Sequence, residues 1–174
     1  MSNQSTVKLP IFLVGFMGSG KSTIGTCLAT KLHRPFMDLD DLIETTIRQS
    51  IAELIDDRGE EEFRAIESRA LHEGVRSGAP VIATGGGVIL RAENRELMSK
   101  TGVTVWLDAP FELCWQRISA DAAVRPLAPD RDTALARYNA RNEYYKESRL
   151  RIEIGEGLNA EDAADAIVKL LVEL

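Results

Sequence analysis

The stretch GFMGSGKST, residues 15–23, meets the pattern G-x-x-x-x-G-K-[ST] in full, with Gly15, Gly20, Lys21 and Ser22 at the fixed positions. Each residue type suits the holding of phosphate. Glycines let successive backbone N–H groups curl around phosphate oxygens, and a helix that starts where the loop ends adds its partial positive charge. Lys21 is expected to reach the β- and γ-phosphates, and the Ser22 hydroxyl to ligate Mg²⁺. Gly18, Ser19, Gly20 and Thr23 complete the predicted cradle. The expected ligand is a nucleoside triphosphate with magnesium. The chain has no Asn-Lys-x-Asp stretch of the kind that reads guanine, and at 174 residues it has little room for motor machinery. Phosphoryl transfer to a small acceptor is the economical use of such a loop.

The acceptor side draws on residues scattered further along. Asp38 and Asp40 lie two apart in MDLDD, at the end of a predicted strand. Alternate strand residues share a face, and the carboxyl ends of parallel strands face the ligand crevice. One carboxylate is expected to serve the magnesium shell and the other the acceptor hydroxyl, with Asp41 favouring the start of the next helix. Arg64, within GEEEFRAIE, reads either as an ion-pair partner of Glu60, Glu61 or Glu67, or as a clamp on an anion that suits its planar fork. Arg137 and Arg141 stand one turn apart near Tyr138 and Tyr145, and spacing alone does not separate surface from site. Gly85, Gly86 and Gly87 follow a third strand. Three consecutive glycines carry an entropic penalty that is tolerated where the backbone approaches a ligand or turns sharply. VRPLAPDRD is a proline-bearing excursion long enough to close over a triphosphate and exclude water, with Arg125 placed to meet the transferring group. Arg117, just before it, is expected to cover the adenine ring.

These residues need a scaffold, and the remaining pattern supplies one. Short apolar runs in LPIFLVG, PFMD, PVIAT, VTVWL and LRIEI read as strands, and amphipathic segments between them read as crossover helices. Ser50 with Glu53 fits a capping box, Gly59 interrupts the helix that follows, and Asn159 is placed to cap the last helix. Strand and helix alternate throughout. The expectation is therefore a single α/β domain over residues 1–174, three layers α/β/α around a five-stranded parallel sheet. A net charge of -6, from 21 basic and 27 acidic residues, argues against non-specific attraction to nucleic acid or an anionic membrane. No run approaches the length of a membrane span and MSNQSTVKLP lacks a signal pattern, so a cytoplasmic protein is expected, with Cys27 and Cys114 as core thiols; no helix shows an apolar stripe beyond what a sheet would bury, so a monomer is expected.

The ordered set GFMGSGKST, FMDLDDLI, GEEEFRAIE, ATGGGV, VRPL and ARNEYY resembles the shikimate kinases, and the likeness runs over essentially the whole chain. The resemblance implies a nucleoside monophosphate kinase-like fold, with an acceptor-binding helical region at about 38–75 and a mobile lid at about 119–132. It implies transfer of the γ-phosphoryl group of ATP to the 3-hydroxyl of shikimate, on the chorismate route to aromatic amino acids. Carried over residue by residue, Asp40 would hold the acceptor hydroxyl and take its proton. Arg64 and Arg141 would clamp the carboxylate, and Gly85, Gly86 and Gly87 would line the pocket. Lys21 and Arg125 would neutralise charge during transfer. Ser22 would ligate Mg²⁺ with Asp38 nearby, Arg117 would cover the nucleotide, and the backbone near 155–158 would meet the base. Arg137 would fall back to surface or lid support. Two departures, RPLAPD in the lid and YYKES after Arg141, concern packing rather than chemistry. The rivals are a polyol-acid kinase, such as one acting on gluconate, and a regulatory nucleotide-binding protein without turnover. The second would be expected to have lost Lys21, Asp40 or Arg125.

Overall fold

A computed structural model describes residues 9–78, 80–121 and 127–174. Five strands form one parallel sheet: β1 (Ile11–Val14), β2 (Phe36–Asp38), β3 (Val81–Ala83), β4 (Val103–Asp108) and β5 (Leu150–Glu153). Their spatial order is β2-β3-β1-β4-β5. Parallel strands need crossover connections, and the helical patterns provide them: α1 (Lys21–Leu32), α2 (Leu39–Ile47), α3 (Ile51–Arg76), α4 (Ala92–Thr101), α5 (Phe111–Ala120), α6 (Arg131–Tyr145) and α7 (Ala160–Val172). Ile11, Phe12, Leu13 and Val14 are all buried, as are Val81, Ile82 and Ala83, so β1 and β3 are covered on both faces. That explains why these strands read as unbroken apolar runs.

The order places the site. The chain leaves β1 on one side for β2 and later returns to add β4 on the other, so the sheet switches direction beside β1. Ligands of open α/β sheets bind at the carboxyl ends of the strands at such a point. The carboxyl ends of β1, β2 and β3 lead into residues 15–20, into Asp38 with Asp40, and into residues 84–87, which emerge together there.

The local signals hold. Ser50 Oγ accepts from the Glu53 N–H at 3.2 Å while a Glu53 carboxylate oxygen accepts from the Ser50 N–H at 2.9 Å, a reciprocal capping box. Asn159 Oδ1 accepts from the Asp162 N–H at 2.9 Å. Gly59 breaks α3 with φ 83° and ψ 167°, a conformation open to glycine, and so divides its first two turns from the rest. One expectation is corrected. Asp40 is not at the end of a strand: β2 stops at Asp38, and Asp40 lies in the first turn of α2. What brings the two acids together is a helix cap, because Asp38 Oδ1 accepts the Asp40 N–H at 3.0 Å.

Candidate active site

The phosphate loop bridges β1 and α1. Gly20, with φ 97°, caps the helix, and Lys21 is its first residue. The Lys21 ammonium donates to the Gly15 and Phe16 carbonyls at 2.8 and 2.9 Å, folding the side chain back over its own loop. Burial pushes Lys21 down to about 8, against the pull of Asp40, Cys114 and Asp38 toward the charged form. Ser22 Oγ donates to Asp38 Oδ2 at 2.5 Å. Asp38 thus joins loop and acceptor side, one oxygen on Ser22 and the other capping α2. The Ser22 hydroxyl and the Asp38 carboxylate are hard oxygen donors. Magnesium characteristically takes one or two protein oxygens and completes its shell with substrate phosphates and water, so this pair fits it. Ser19 is buried and Thr23 exposed. Arg117 reaches across from α5, its Nη1 donating to the Gly18 carbonyl at 3.0 Å.

Beside the loop opens a cavity of about 610 Å³, lined among others by Asp40, Glu44, Phe63, Arg64, Glu67, Gly85, Gly86, Gly87, Leu127 and Arg141. Its chemistry is set by buried charge. Arg64 is 6 % exposed and Arg141 2 %. Arg64 Nη1 donates to Glu67 Oε2 at 2.8 Å, and its Nη2 to Glu60 Oε1 at 3.1 Å. Burial works against the Arg64 charge, but Glu67 and Glu60 outweigh it and the net push is upward. Arg141, pushed down chiefly by burial, lies over the Phe16 ring at 5.7 Å. Among the described residues, Arg64 Nε, Arg141 Nη2 and Glu67 Oε1 are buried without a hydrogen-bond partner. Ser19 Oγ, Asn94 Oδ1 and Asn142 Oδ1 are orphaned elsewhere, but buried polar atoms are normally satisfied, and three such orphans on the lining of one cavity point to a polar ligand there. Asp40 is exposed to the open cavity, yet the protein crowding its carboxyl strips away hydration and pushes it up to about 7, helped by Asp38 and Glu67, with Lys21 opposing.

The glycine run is explained by space. A Cβ on Gly87 would stand 2.4 Å from Arg64 Cζ, and one on Gly85 would stand 2.2 Å from Glu67 Oε1 and 3.2 Å from Asp40 Oδ1. The backbone of the run lies flat against the buried ion pair. Tyr145, stacked on Trp106, donates to the Gly86 carbonyl at 2.6 Å and fixes the turn.

Lys21, Ser22, Asp38, Asp40, Arg64, residues 85–87 and Arg141 are thus brought together, with Arg117 over the loop. The turn at 155–158 is largely exposed, with the Leu158 N–H bonded to the Gly155 carbonyl at 3.2 Å. Arg125 lies outside the described residues, as does the 122–126 part of the expected lid. The two readings of Arg64 turn out to be compatible, since it is ion-paired and faces the cavity as well. Glu67 was visible in the sequence only as one of several pairing acids, and nothing in its helical spacing marks it as fully buried. Arg137 is not free surface: it grips Glu60 through both guanidinium nitrogens.

A family model described as shikimate kinase matches residues 17–172. The chain belongs to the shikimate kinase family. A shikimate kinase of Synechococcus sp. (strain JA-3-3Ab) is 42% identical over 147 residues, covering 83% of this chain and 77% of that protein. One from Cereibacter sphaeroides is 38% identical over 154 residues, covering 87% and 77%. The shikimate kinase of Acinetobacter baumannii, solved in complex with shikimate, superposes with a TM-score of 0.90 at 36% identity over 95% of this chain and 93% of that one. That of Aquifex aeolicus gives 0.82 at 31% identity, over 95% and 96%. A deoxyadenosine kinase from M. mycoides, 12% identical with a TM-score of 0.62, shares the fold. Among the described residues of this shikimate kinase family member, no helix is long and apolar enough to cross a membrane.

Proposed function

We propose that this chain transfers the γ-phosphoryl group of ATP to the 3-hydroxyl of shikimate, giving shikimate 3-phosphate and ADP. The observation that carries it is a pair of buried arginines, Arg64 and Arg141, each keeping a guanidinium nitrogen without a partner, on the cavity that Asp40 shares. An acceptor with one carboxylate and several hydroxyls satisfies all three. In this reading Arg64 and Arg141 hold the carboxylate, the backbone of Gly85, Gly86 and Gly87 supports the ring, and Asp40 accepts the proton of the attacking hydroxyl. A carboxyl titrating near neutrality is suited to that task.

Gly18, Ser19, Gly20, Lys21, Ser22 and Thr23 hold the triphosphate, Arg117 lies over the nucleotide, and Lys21 with Arg125 offsets charge on the transferring group. Ser22 and Asp38 would hold Mg²⁺, which would supply positive charge beside the transferring group. Transfer is direct and in line. His33 and His72 are exposed and away from the loop, so nothing supports a phosphohistidine. The proposal places the enzyme in the cytoplasm as a monomer, one kinase domain with an acceptor-binding region at 38–75 and a lid at 119–132.

ADP release coupled to NADH oxidation tests it, with shikimate, gluconate and water as parallel acceptors. Turnover with shikimate alone is the expected result. Turnover with gluconate would overturn the acceptor assignment, and ATP binding without any turnover would overturn the enzymatic one.

A further inference from the structure

Arg137 looks redundant in the reaction as drawn, yet its geometry is specific. Its Nη1 and Nη2 donate to the two oxygens of Glu60 at 3.2 and 3.1 Å, a bidentate pair. Glu60 Oε1 also accepts from Arg64 Nη2 at 3.1 Å. One carboxylate therefore sits between an arginine of the cavity and an arginine outside it. Glu60 is the first residue after the Gly59 break, and Arg137 is one turn before Arg141 on α6. The bridge joins the two elements that supply the carboxylate clamp.

We infer that Arg137 is a positioning residue for the acceptor: by engaging both oxygens of Glu60 it shares that acid's charge with Arg64, which keeps the Arg64 guanidinium in place with its Nε turned to the substrate carboxylate. The inference rests on the proposed shikimate reaction. Arg137 and Arg64 share the Glu60 carboxylate and Glu67 pairs with Arg64, so the two acids beside the clamp are held in ion pairs, while Asp40 and Glu44 line the rest of the cavity. Burial raises Glu60, but its hydrogen bonds from Arg137 and Arg64 prevail and hold it below the usual carboxylate range, so it is ionised near neutrality. Without Arg137, Glu60 turns its whole charge on Arg64. The pair contributes little to stability, because side chains 30% and 35% exposed are screened by solvent. Its effect is to be found in binding.

The test is a four-protein cycle of wild type, Arg137→Ala, Glu60→Gln and the double variant, read by steady-state kinetics and by calorimetric titration of shikimate. Arg137→Ala is expected to raise KM and Kd for shikimate about fivefold to tenfold, with KM for ATP and Tm little changed. Glu60→Gln in that background is expected to restore most of the loss, since no unpaired acid then competes for Arg64. A simple brace between helices predicts the opposite, a double variant no better than the single one. Should Arg137→Ala fail to fold, Arg137→Lys with and without Glu60→Gln carries the same comparison, because lysine keeps the charge and loses the fork. Wild type active on shikimate with Arg137→Ala inside twofold, or with no restoration, overturns this inference alone. Wild type inactive on shikimate overturns the proposed reaction and this inference with it.

Discussion

At Gly87 the cavity leaves no room for a side chain against Arg64. A methyl group on Gly87 would lie 2.4 Å from both Cζ and Nη1 of Arg64 and 2.5 Å from Nη2, where ordinary contact begins at 3.4 Å. Relief requires a movement of about 1 Å, and the guanidinium has little room for it. Arg64 is 6 % exposed and tied to Glu67 at 2.8 Å and Glu60 at 3.1 Å. Gly87 itself has φ -105°, which alanine adopts without strain, so the substitution acts through the contact and not through the backbone. A displaced guanidinium loses a charge-assisted hydrogen bond of about 1.5–3 kcal/mol, which corresponds to roughly 10–150-fold in binding.

For Gly87→Ala we therefore expect kcat/KM for shikimate to fall by about 10–100-fold, mostly through KM, with KM for ATP within about twofold. The cycle with Arg64→Ala isolates the cause. In that background the three atoms nearest to the methyl group are gone, and adding Gly87→Ala should change little. Near wild-type kinetics for Gly87→Ala would refute the reasoning. So would an equal loss in both backgrounds, which would place the effect in the turn itself.

Three further outcomes follow from the same geometry. The profile of kcat/KM against pH should be bell-shaped, rising through about 7 as Asp40 loses its proton and falling above about 8 as Lys21 loses its own, both as macroscopic values of a coupled pair; the falling limb should move upward in kcat, because bound triphosphate favours the charged lysine, and a flat profile from 6 to 9 would count against both roles. Asp40→Asn should abolish turnover yet raise Tm at pH 8 and not at pH 4. The folded pKa of Asp40 lies above its unfolded value, so stability is lost as pH rises between the two, and an uncharged residue escapes that loss. Ser50→Ala removes the capping-box hydroxyl at the wall of the cavity and should destabilise by about 1 kcal/mol, lowering Tm by about 2–4 °C in thermal melts.

The phosphate loop was legible because its logic is local: nine adjacent residues, a strand before them and a helix after. The caps at Ser50 and Asn159 were legible for the same reason. Asp38 and Asp40 do lie together, but through a helix cap: strand alternation and a cap both bring residues two apart together, and only the position where β2 stops decides between them. Arg137 and Arg141 share a helix face, so periodicity alone could not rank them. What distinguishes them is tertiary: Arg141 meets Phe16 and the glycine run, and Arg137 meets Glu60. The full burial of Glu67 was invisible, because an acid three residues from an arginine reads as a solvated pair unless the packing of the glycine run against it is known.

That buried acid answers why a cavity suited to an anion should contain carboxylates at all. Two guanidiniums out of water repel each other, and each loses several kcal/mol of hydration that a neighbouring charge must offset. Glu67, fully buried against Arg64, supplies that offset whether or not a ligand is present. The arrangement also limits what Arg64 has to offer. Its Nη1 and Nη2 are engaged by Glu67 and Glu60, leaving Nε, while Arg141 keeps Nη2. On the proposed function, the substrate carboxylate meets one N–H from each of two arginines fixed on different helices, in place of the two-pronged fork of a single arginine. A single fork accepts carboxylate and phosphate alike. Two donors held apart by α3 and α6 set a span as well as a charge, and a rigid ring carrying its carboxylate at a fixed distance from the reacting hydroxyl is the kind of acceptor such a span selects.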